Sequence, residues 1–166
     1  MERTLVILKP DCVMRGITGL ILTRFEQAGF KIIAMKMATP DYQQLYQHYE
    51  GIGTLKSRKG EEIFESQLAS MQDGPIIVLI LEGVEAVGTV RKMVGVTEPK
   101  NALPGTIRGD FAHVNYSSAA KIGRGVANIV HASADKNEAK SEIKHWFNDN
   151  ELFEYQTVHE RFTQPK

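Results

Sequence analysis

Apolar positions along this chain change their period several times, and each change marks an element. Thr4 to Leu8 is a short β-rich run that stops at Lys9-Pro10-Asp11. Proline ends regular pairing, so the pattern predicts a strand followed by a loop, with Lys9 at the strand end. From Thr18 the apolar residues Ile21, Leu22, Phe25 and Ala28 recur at near-helical spacing until Gly29 stops them. Phe30 to Met37 returns to β-branched and apolar residues. Thr39-Pro40-Asp41 then predicts a second helix, opened by a cap and a first-turn proline and running to about Tyr49. Gly51 to Gly60 holds glycines and the basic cluster Lys56, Arg58 and Lys59, which predicts a polar loop. A helical pattern through Ile63, Phe64, Gln67, Leu68 and Met71 follows, ending at Asp73-Gly74-Pro75, and Ile76 to Leu81 is the clearest buried strand. Val84, Val87, Val90, Arg91 and Val94 predict another helix closed by Gly95. A long stretch containing glycine, proline and asparagine then runs to Gly125, and loops of that length are usually functional or mobile. Val126 to Val130 is the last expected strand. Asp135 to Phe147 is the last helix, capped by Asp135 with Glu138 three residues on, and its buried stripe is Ala139, Ile143, Trp146 and Phe147.

This order of strands and helices predicts an α/β (α+β) fold, an antiparallel sheet with helices packed on it in the ferredoxin-like or split βαβ arrangement. A length of 166 residues with 42% apolar content fits one domain over residues 1–166, and no repeat or linker divides it. Lysines plus arginines equal aspartates plus glutamates at 20 each, so no field of the whole molecule draws it to nucleic acid or an anionic membrane. Any anion site must be local. Cys12 is the sole cysteine, which excludes an internal disulfide or a multi-cysteine zinc cluster and favours a reducing compartment. The first residues are too acidic and their apolar run too short for a secretory signal, and no stretch approaches a membrane span; a cytoplasmic location is expected.

Chemistry concentrates at His131, in the run Asn128-Ile129-Val130-His131-Ala132-Ser133. A neutral imidazole keeps one ring nitrogen free to attack phosphorus, provided that a hydrogen bond to the other fixes its tautomer, and Glu142 on the following helix is placed to supply it. Neither G-x-x-x-x-G-K-[ST] nor a strand-linked G-x-G-x-x-G occurs, so backbone cradling of phosphate is not signalled. A bound polyphosphate must then be held by side-chain cations, for which Lys9, Arg91 and Arg108 stand at element ends or in loops. His48, His113, His145 and His159 show no metal-ligand spacing and receive no ligand role.

Several further runs accompany that histidine: Arg3-Thr4, Ile7-Leu8-Lys9-Pro10-Asp11, Arg15-Gly16, Arg24-Phe25-Glu26, Gly29-Phe30, His48-Tyr49, Gly74-Pro75, Glu82-Gly83 and Pro104-Gly105-Thr106-Ile107-Arg108-Gly109-Asp110-Phe111. With them the chain resembles the nucleoside diphosphate kinase family over nearly its whole length. The resemblance implies ping-pong transfer, in which His131 takes the γ-phosphoryl group of a nucleoside triphosphate and passes it to a different nucleoside diphosphate. Mg2+ would ride on the nucleotide phosphates, with no protein ligand. By the same match Lys9, Tyr49, Arg91, Thr97, Arg108 and Asn128 form the nucleotide site, with Ser133 and Glu142 beside the histidine. Arginine forks suit phosphate oxygens, Thr97 offers one hydrogen bond, Lys9 suits a ribose hydroxyl or a phosphate, and Asn128 suits the sugar edge. The resemblance also implies a homo-oligomer, either tetramer or hexamer.

Departures from the family pattern are local. The segment after His48-Tyr49 is longer than usual, near residues 51–60, and the aromatic pair that contacts the base falls on Ile63-Phe64, either of which would take that role. A second longer segment, near residues 111–125, brings His113, Tyr116, Lys121 and Arg124. Ala132 stands where glycine is usual, and Cys12 likewise, the latter read as a small buried hydrophobe. Two rivals are a nucleotide sensor or nucleic-acid-binding module on the same fold and a scaffolding oligomer. An RNA reader should show a basic face and exposed sheet aromatics, which this neutral sequence does not advertise, so nucleic acid is not expected as a partner.

Overall fold

A computed structural model describes residues 1–163. Its frame is a four-stranded antiparallel sheet of β1 (Glu2–Leu8), β2 (Lys31–Ala38), β3 (Ile76–Gly83) and β4 (Val130–Ala132), in the order β2-β3-β1-β4. The helices are α1 (Pro10–Met14), α2 (Thr18–Gln27), α3 (Tyr42–Tyr46), α4 (Leu55–Lys59), α5 (Glu61–Met71), α6 (Ala86–Val94), α7 (Ile107–Phe111), α8 (Tyr116–Lys121) and α9 (Lys136–Trp146). A π-helical turn, Gln47–Ile52, continues α3. This is the expected single-domain ferredoxin-like arrangement.

The central strands β1 and β3 bury both faces over Leu5–Leu8 and Ile76–Leu81, which is why those stretches read as unbroken apolar runs and not as alternations. On one face Val6, Leu8, Leu79 and Leu81 pack with Ile21 and Phe25 of α2, Val90 and Val94 of α6 and Ile107 of α7. On the other, Leu5, Ile7, Val78 and Ile80 pack with Leu45 of α3, Tyr49, Phe64 and Leu68 of α5 and Trp146 of α9. Side chains alternate along a strand, so the pairing Ile7↔His131 sends His131 to the second face, beneath α9 and the π turn. Ala132 and Val130 go to the first face. The chain at Ala132 is extended and its methyl lies in the core, so alanine is accommodated where a glycine is usual.

Several local expectations are corrected. Pro10 does not open a loop; it occupies the first turn of α1, where its missing N–H is not needed. Pro40 precedes the cap of α3 instead of entering its first turn, and Asp41 is the cap, accepting from the Gln44 N–H at 2.7 Å. The longer segment near 51–60 folds into α4, and the stretch from Gly95 to Gly125 contains α7 and α8; α8 carries its own capping box, Asn115 with Ser118. Val84 lies outside α6 and is exposed. On α9 the fully buried position is Glu142 rather than Ile143, and the Glu138 carboxylate accepts from the Ala134 N–H, not from that of Asp135. Strand pairing does not cover Val126 to Ile129. The ladder to β1 starts only at Val130, because the preceding backbone bends out of extended geometry at Ile129, whose φ is +71°.

Candidate active site

The segment before His131 is fixed by side chains from distant parts of the chain. Arg108 of α7 donates from Nε to the Asn128 carbonyl at 3.1 Å, from Nη1 to that of Gly95 at 2.8 Å and from Nη2 to that of Val130 at 2.6 Å. Asp11 accepts from the Ile129 N–H at 2.9 Å, and the Lys9 N–H donates to the Ile129 carbonyl at 2.9 Å. Between these clamps Ile129 holds a left-handed backbone conformation that β-branched residues rarely adopt. The Asn128 amide donates to the Thr97 carbonyl at 2.9 Å, while its buried Oδ1 has no partner.

His131 then emerges on β4 with its ring partly exposed. Its Nε2 lies 2.7 Å from Glu142 Oε1, which leaves Nδ1 as the remaining ring nitrogen. The other oxygen of Glu142 accepts from Ser133 Oγ at 2.6 Å, and Ser133 Oγ also receives the Leu5 N–H at 3.2 Å, which ties the pair to β1. Burial alone would push the Glu142 carboxyl up, but the neighbouring His131, its hydrogen bond, and His48 and Ser133 outweigh that and hold it below the usual carboxylate range. A buried, ionised Glu142 therefore fixes the His131 ring from behind.

The cations converge on the same place. Burial, and then the neighbouring Arg108, lower Lys9 to about 8. Burial and Arg91 lower Arg108 to about 10. Among the described residues no carboxylate forms an ion pair with Lys9, Arg91 or Arg108. Arg91 of α6 reaches the end of β4, with Nη1 3.5 Å from the carbonyls of Ala132 and Ser133, a distance at which it remains free for another acceptor. Tyr49 is buried with its ring 6.3 Å from that of His131, and its hydroxyl accepts from Gln67 Nε2 at 3.1 Å. The structure therefore brings together Lys9, Tyr49, Arg91, Arg108, Asn128, His131, Ser133 and Glu142. Thr97 joins them through its carbonyl, its side chain being exposed.

Of the two candidates for base contact, Phe64 is fully buried, in the core of the second face and edge-on to Tyr46, so it cannot stack on a base. Ile63 on the same turn is 52% exposed. Three participants escaped the sequence reading. Asp11 clamps Ile129; His48 sits edge-on against His131 with centroids 4.6 Å apart; Trp146 Nε1 donates to His48 Nδ1 at 3.1 Å. The π turn is responsible for His48: the Gly53 N–H reaches back five residues to its carbonyl, and the widened turn lets consecutive residues His48 and Tyr49 both face inward. Donor atoms of His48, His131 and Glu142 lie within 4.8 Å of one another. Within that cluster His48 Nδ1 is engaged by Trp146, and Glu142 by His131 and Ser133.

Comparison with known proteins agrees with this geometry. The family model described as Nucleoside diphosphate kinase matches residues 2–152. The nucleoside diphosphate kinase of Pyrococcus furiosus is 43% identical over 155 residues, covering 93% of this chain and 88% of that protein. That of Borreliella burgdorferi is 39% identical, covering 93% and 92%. Among solved structures, a transition state mimic of the Borrelia burgdorferi nucleoside-diphosphate kinase with bound vanadate and ADP has a TM-score of 0.93 at 38% identity, covering 98% of this chain and 96% of that one. A halophilic enzyme from Halobacterium salinarum in complex with CDP gives 0.82 at 31% identity, covering 97% of each chain. With the family model matched over residues 2–152 and relatives of about 40% identity along nearly its whole length, this chain belongs to the nucleoside diphosphate kinase family of phosphotransferases.

Proposed function

We propose that His131 is the phosphoryl carrier of a ping-pong cycle, taking the γ-phosphoryl group of a nucleoside triphosphate on Nδ1 and passing it to a nucleoside diphosphate bound afterwards. The observation that carries this reading is the 2.7 Å hydrogen bond from Nε2 to the buried Glu142, which commits one ring nitrogen and leaves the other its lone pair. In the first half-reaction the Nδ1 lone pair forms the N–P bond while the bond from phosphorus to the β,γ-bridging oxygen breaks. The ring gains positive charge, which Glu142 stabilises through the Nε2–H, and the diphosphate leaves with the bond's electrons. The second half-reaction is the reverse with a different diphosphate. Phosphoryl transfer proceeds through a loose transition state, so the protein chiefly aligns the two atoms and offsets spread charge. Lys9, Arg91 and the unused N–H groups of Arg108 supply that charge, Tyr49 walls the ring, Thr97 and Asn128 bound the sugar and phosphate side, and Ile63 offers an apolar contact to the base.

Mg2+ fits as a passenger on the phosphates. The carboxylates nearest the histidine and its loop are engaged, Glu142 by His131 and Ser133 and Asp11 by Ile129, which leaves cations and not a carboxylate cage facing the substrate. Bound there, it would shield the oxygens of the leaving diphosphate. A homo-oligomer, tetramer or hexamer, is also proposed, and light scattering after size exclusion distinguishes the two. Cytoplasmic residence is proposed from the single buried cysteine. No helix among the described residues is long and apolar enough to cross a membrane.

The test is chemical. Purified protein incubated with Mg2+ and γ-labelled ATP is expected to give an acid-labile, alkali-stable phosphoenzyme that discharges onto an added diphosphate. His131→Asn is expected to give none; transfer at the native rate in that variant would overturn the reading.

A further inference from the structure

Behind the His131–Glu142 pair lies a second imidazole that the transfer chemistry leaves unused. His48 is 1% exposed, and its Nδ1 lies 3.6 Å from Glu142 Oε1, the same oxygen that accepts from His131 Nε2 at 2.7 Å. A proton on His48 Nδ1 would make that ring a competitor for the oxygen after a movement of less than about 1 Å. Where His48 carries its proton therefore matters to the nucleophile.

Trp146 decides it. An indole N–H only donates, and Trp146 Nε1 donates to His48 Nδ1 at 3.1 Å, so Nδ1 must be an acceptor and the neutral ring carries its proton on Nε2. That Nε2 is buried and has no hydrogen-bond partner. A buried donor without an acceptor is costly, and the opposite tautomer would pair Nδ1–H with Glu142 instead. Trp146 is the contact that enforces the Nε2–H tautomer against that pull, since a proton on Nδ1 would face the indole N–H.

We propose that Trp146 acts as a tautomer lock on His48, and that these two positioning residues together reserve Glu142 Oε1 for His131. The inference rests on His131 as the phosphoryl carrier. The groups facing His48 are His131 from β4, Glu142 and His145 from α9, Lys9 from the end of β1, and Tyr49 beside it on the π turn, with ring centroids 4.7 Å apart. Burial, then His131, His145 and Lys9, against the opposing pull of Glu142, push its titration down to about 3. His48 thus stays neutral while its neighbours change charge during the cycle.

The first test uses the unmodified protein, 15N-labelled at histidine. At neutral pH, NMR is expected to find His48 with a protonated Nε2 and a bare Nδ1; a protonated Nδ1 or an imidazolium would overturn the lock. The second test is Trp146→Phe, in which His48 is expected to move its proton to Nδ1 or to titrate well above its native value. In that variant phosphoenzyme formation should slow roughly tenfold, on the scale of one weakened charge-assisted hydrogen bond, with the KM for ATP within about twofold. In a His48→Phe background no competitor for Glu142 remains, so adding Trp146→Phe should change the rate less than about twofold. Equal losses in both backgrounds would overturn the lock and leave Trp146 a packing residue. Absence of any phosphoenzyme in the native protein would instead sink the carrier reading, and the tautomer measurement would still decide the state of His48.

Discussion

Replacing Glu142 by glutamine removes one charge while keeping the shape of a fully buried side chain. The carboxylate accepts from His131 Nε2 at 2.7 Å and from Ser133 Oγ at 2.6 Å. An amide satisfies both only by turning its oxygen to the ring and its NH2 to the serine, whose hydroxyl then turns to the Leu5 carbonyl, 3.4 Å away. In that best case geometry survives and only the charge assistance is lost. Hydrogen bonds to charged groups contribute about 1.5–3 kcal/mol against about 0.5–1.5 for neutral ones, so the loss is roughly 1–2 kcal/mol, a factor of about 5–30. In the proposed cycle the loss falls on the transition state, because there the ring becomes cationic only as Nδ1 forms its bond to phosphorus. In the alternative orientation the NH2 faces Nε2, the ring proton moves to Nδ1 and the nucleophile is blocked, which deepens the loss. Single-turnover formation of phosphoenzyme from ATP in Glu142→Gln should therefore slow by a factor of at least about 5, with KM within about twofold. A rate within twofold of native, or a defect confined to KM, would refute the claim that the carboxylate orients and charges the ring.

Lys9 is lowered to about 8, and a bound polyphosphate favours its charged form, so ADP affinity should weaken as pH rises through about 8 while Lys9→Met shows weak, flatter binding; calorimetric titration at pH 7, 8 and 9 checks this. Without nucleotide the sign for stability is opposite, since the folded protein releases that proton before the unfolded chain does and gains stability between about 8 and the ordinary 10.5. The Glu142 carboxyl is held below its ordinary 4.5, so its contribution to stability is present above that pH and lost as pH falls through its lower folded value; acid denaturation of Glu142→Gln should show a shallower dependence there. A Cβ on Gly109 would stand 2.0 Å from the Leu103 carbonyl oxygen, a backbone atom with no rotamer to escape into. Gly109→Ala should therefore cost about 1–3 kcal/mol or more and lower the melting temperature by several degrees, and an unchanged melt would show that α7 shifts freely.

The sheet was legible where burial writes itself into composition. Ile76 to Leu81 is apolar at every position because both faces of β3 are covered, and Leu5 to Leu8 likewise. Helix starts were legible where a side chain does the capping, as at Asp135, which accepts from the N–H groups of both Asn137 and Glu138. The strand before the histidine was misplaced because Val126 to Val130 is as β-prone as any other run. What bends it is Arg108 and Asp11, the latter 118 residues away, and no local window contains them. Side-chain chemistry and placement alone pointed to His131, Glu142 and the cations Lys9, Arg91 and Arg108; the remaining site residues came with the family resemblance. Neither gives His48 a role, although His48-Tyr49 is among the family runs, because its inward position depends on a π turn that has no sequence period of its own. Phe64 was an open candidate for base contact because an aromatic beside an apolar residue on a helix does not say which of the two faces the core.

A neutral chain can hold a tetra-anion if it buries cations at one point and leaves them without carboxylate partners. Lys9 and Arg108 are both buried, each depresses the other or is depressed by a neighbour, and no carboxylate among the described residues forms an ion pair with either one. That repulsion opposes folding, so other contacts have to hold it in place. Arg108 supplies them itself: three of the five N–H groups of a guanidinium are committed to the carbonyls of Gly95, Asn128 and Val130, which fixes both the cation and the loop that delivers His131. The two N–H groups left over, with Lys9 and Arg91, are then set before substrate arrives, and the reorganisation that water would have to undergo around the transferring group has already been done by folding. Arg108 is thus a structural clamp and, on the proposed mechanism, also a phosphate cation, so that replacing it should remove charge from the site and release the backbone that carries His131 together.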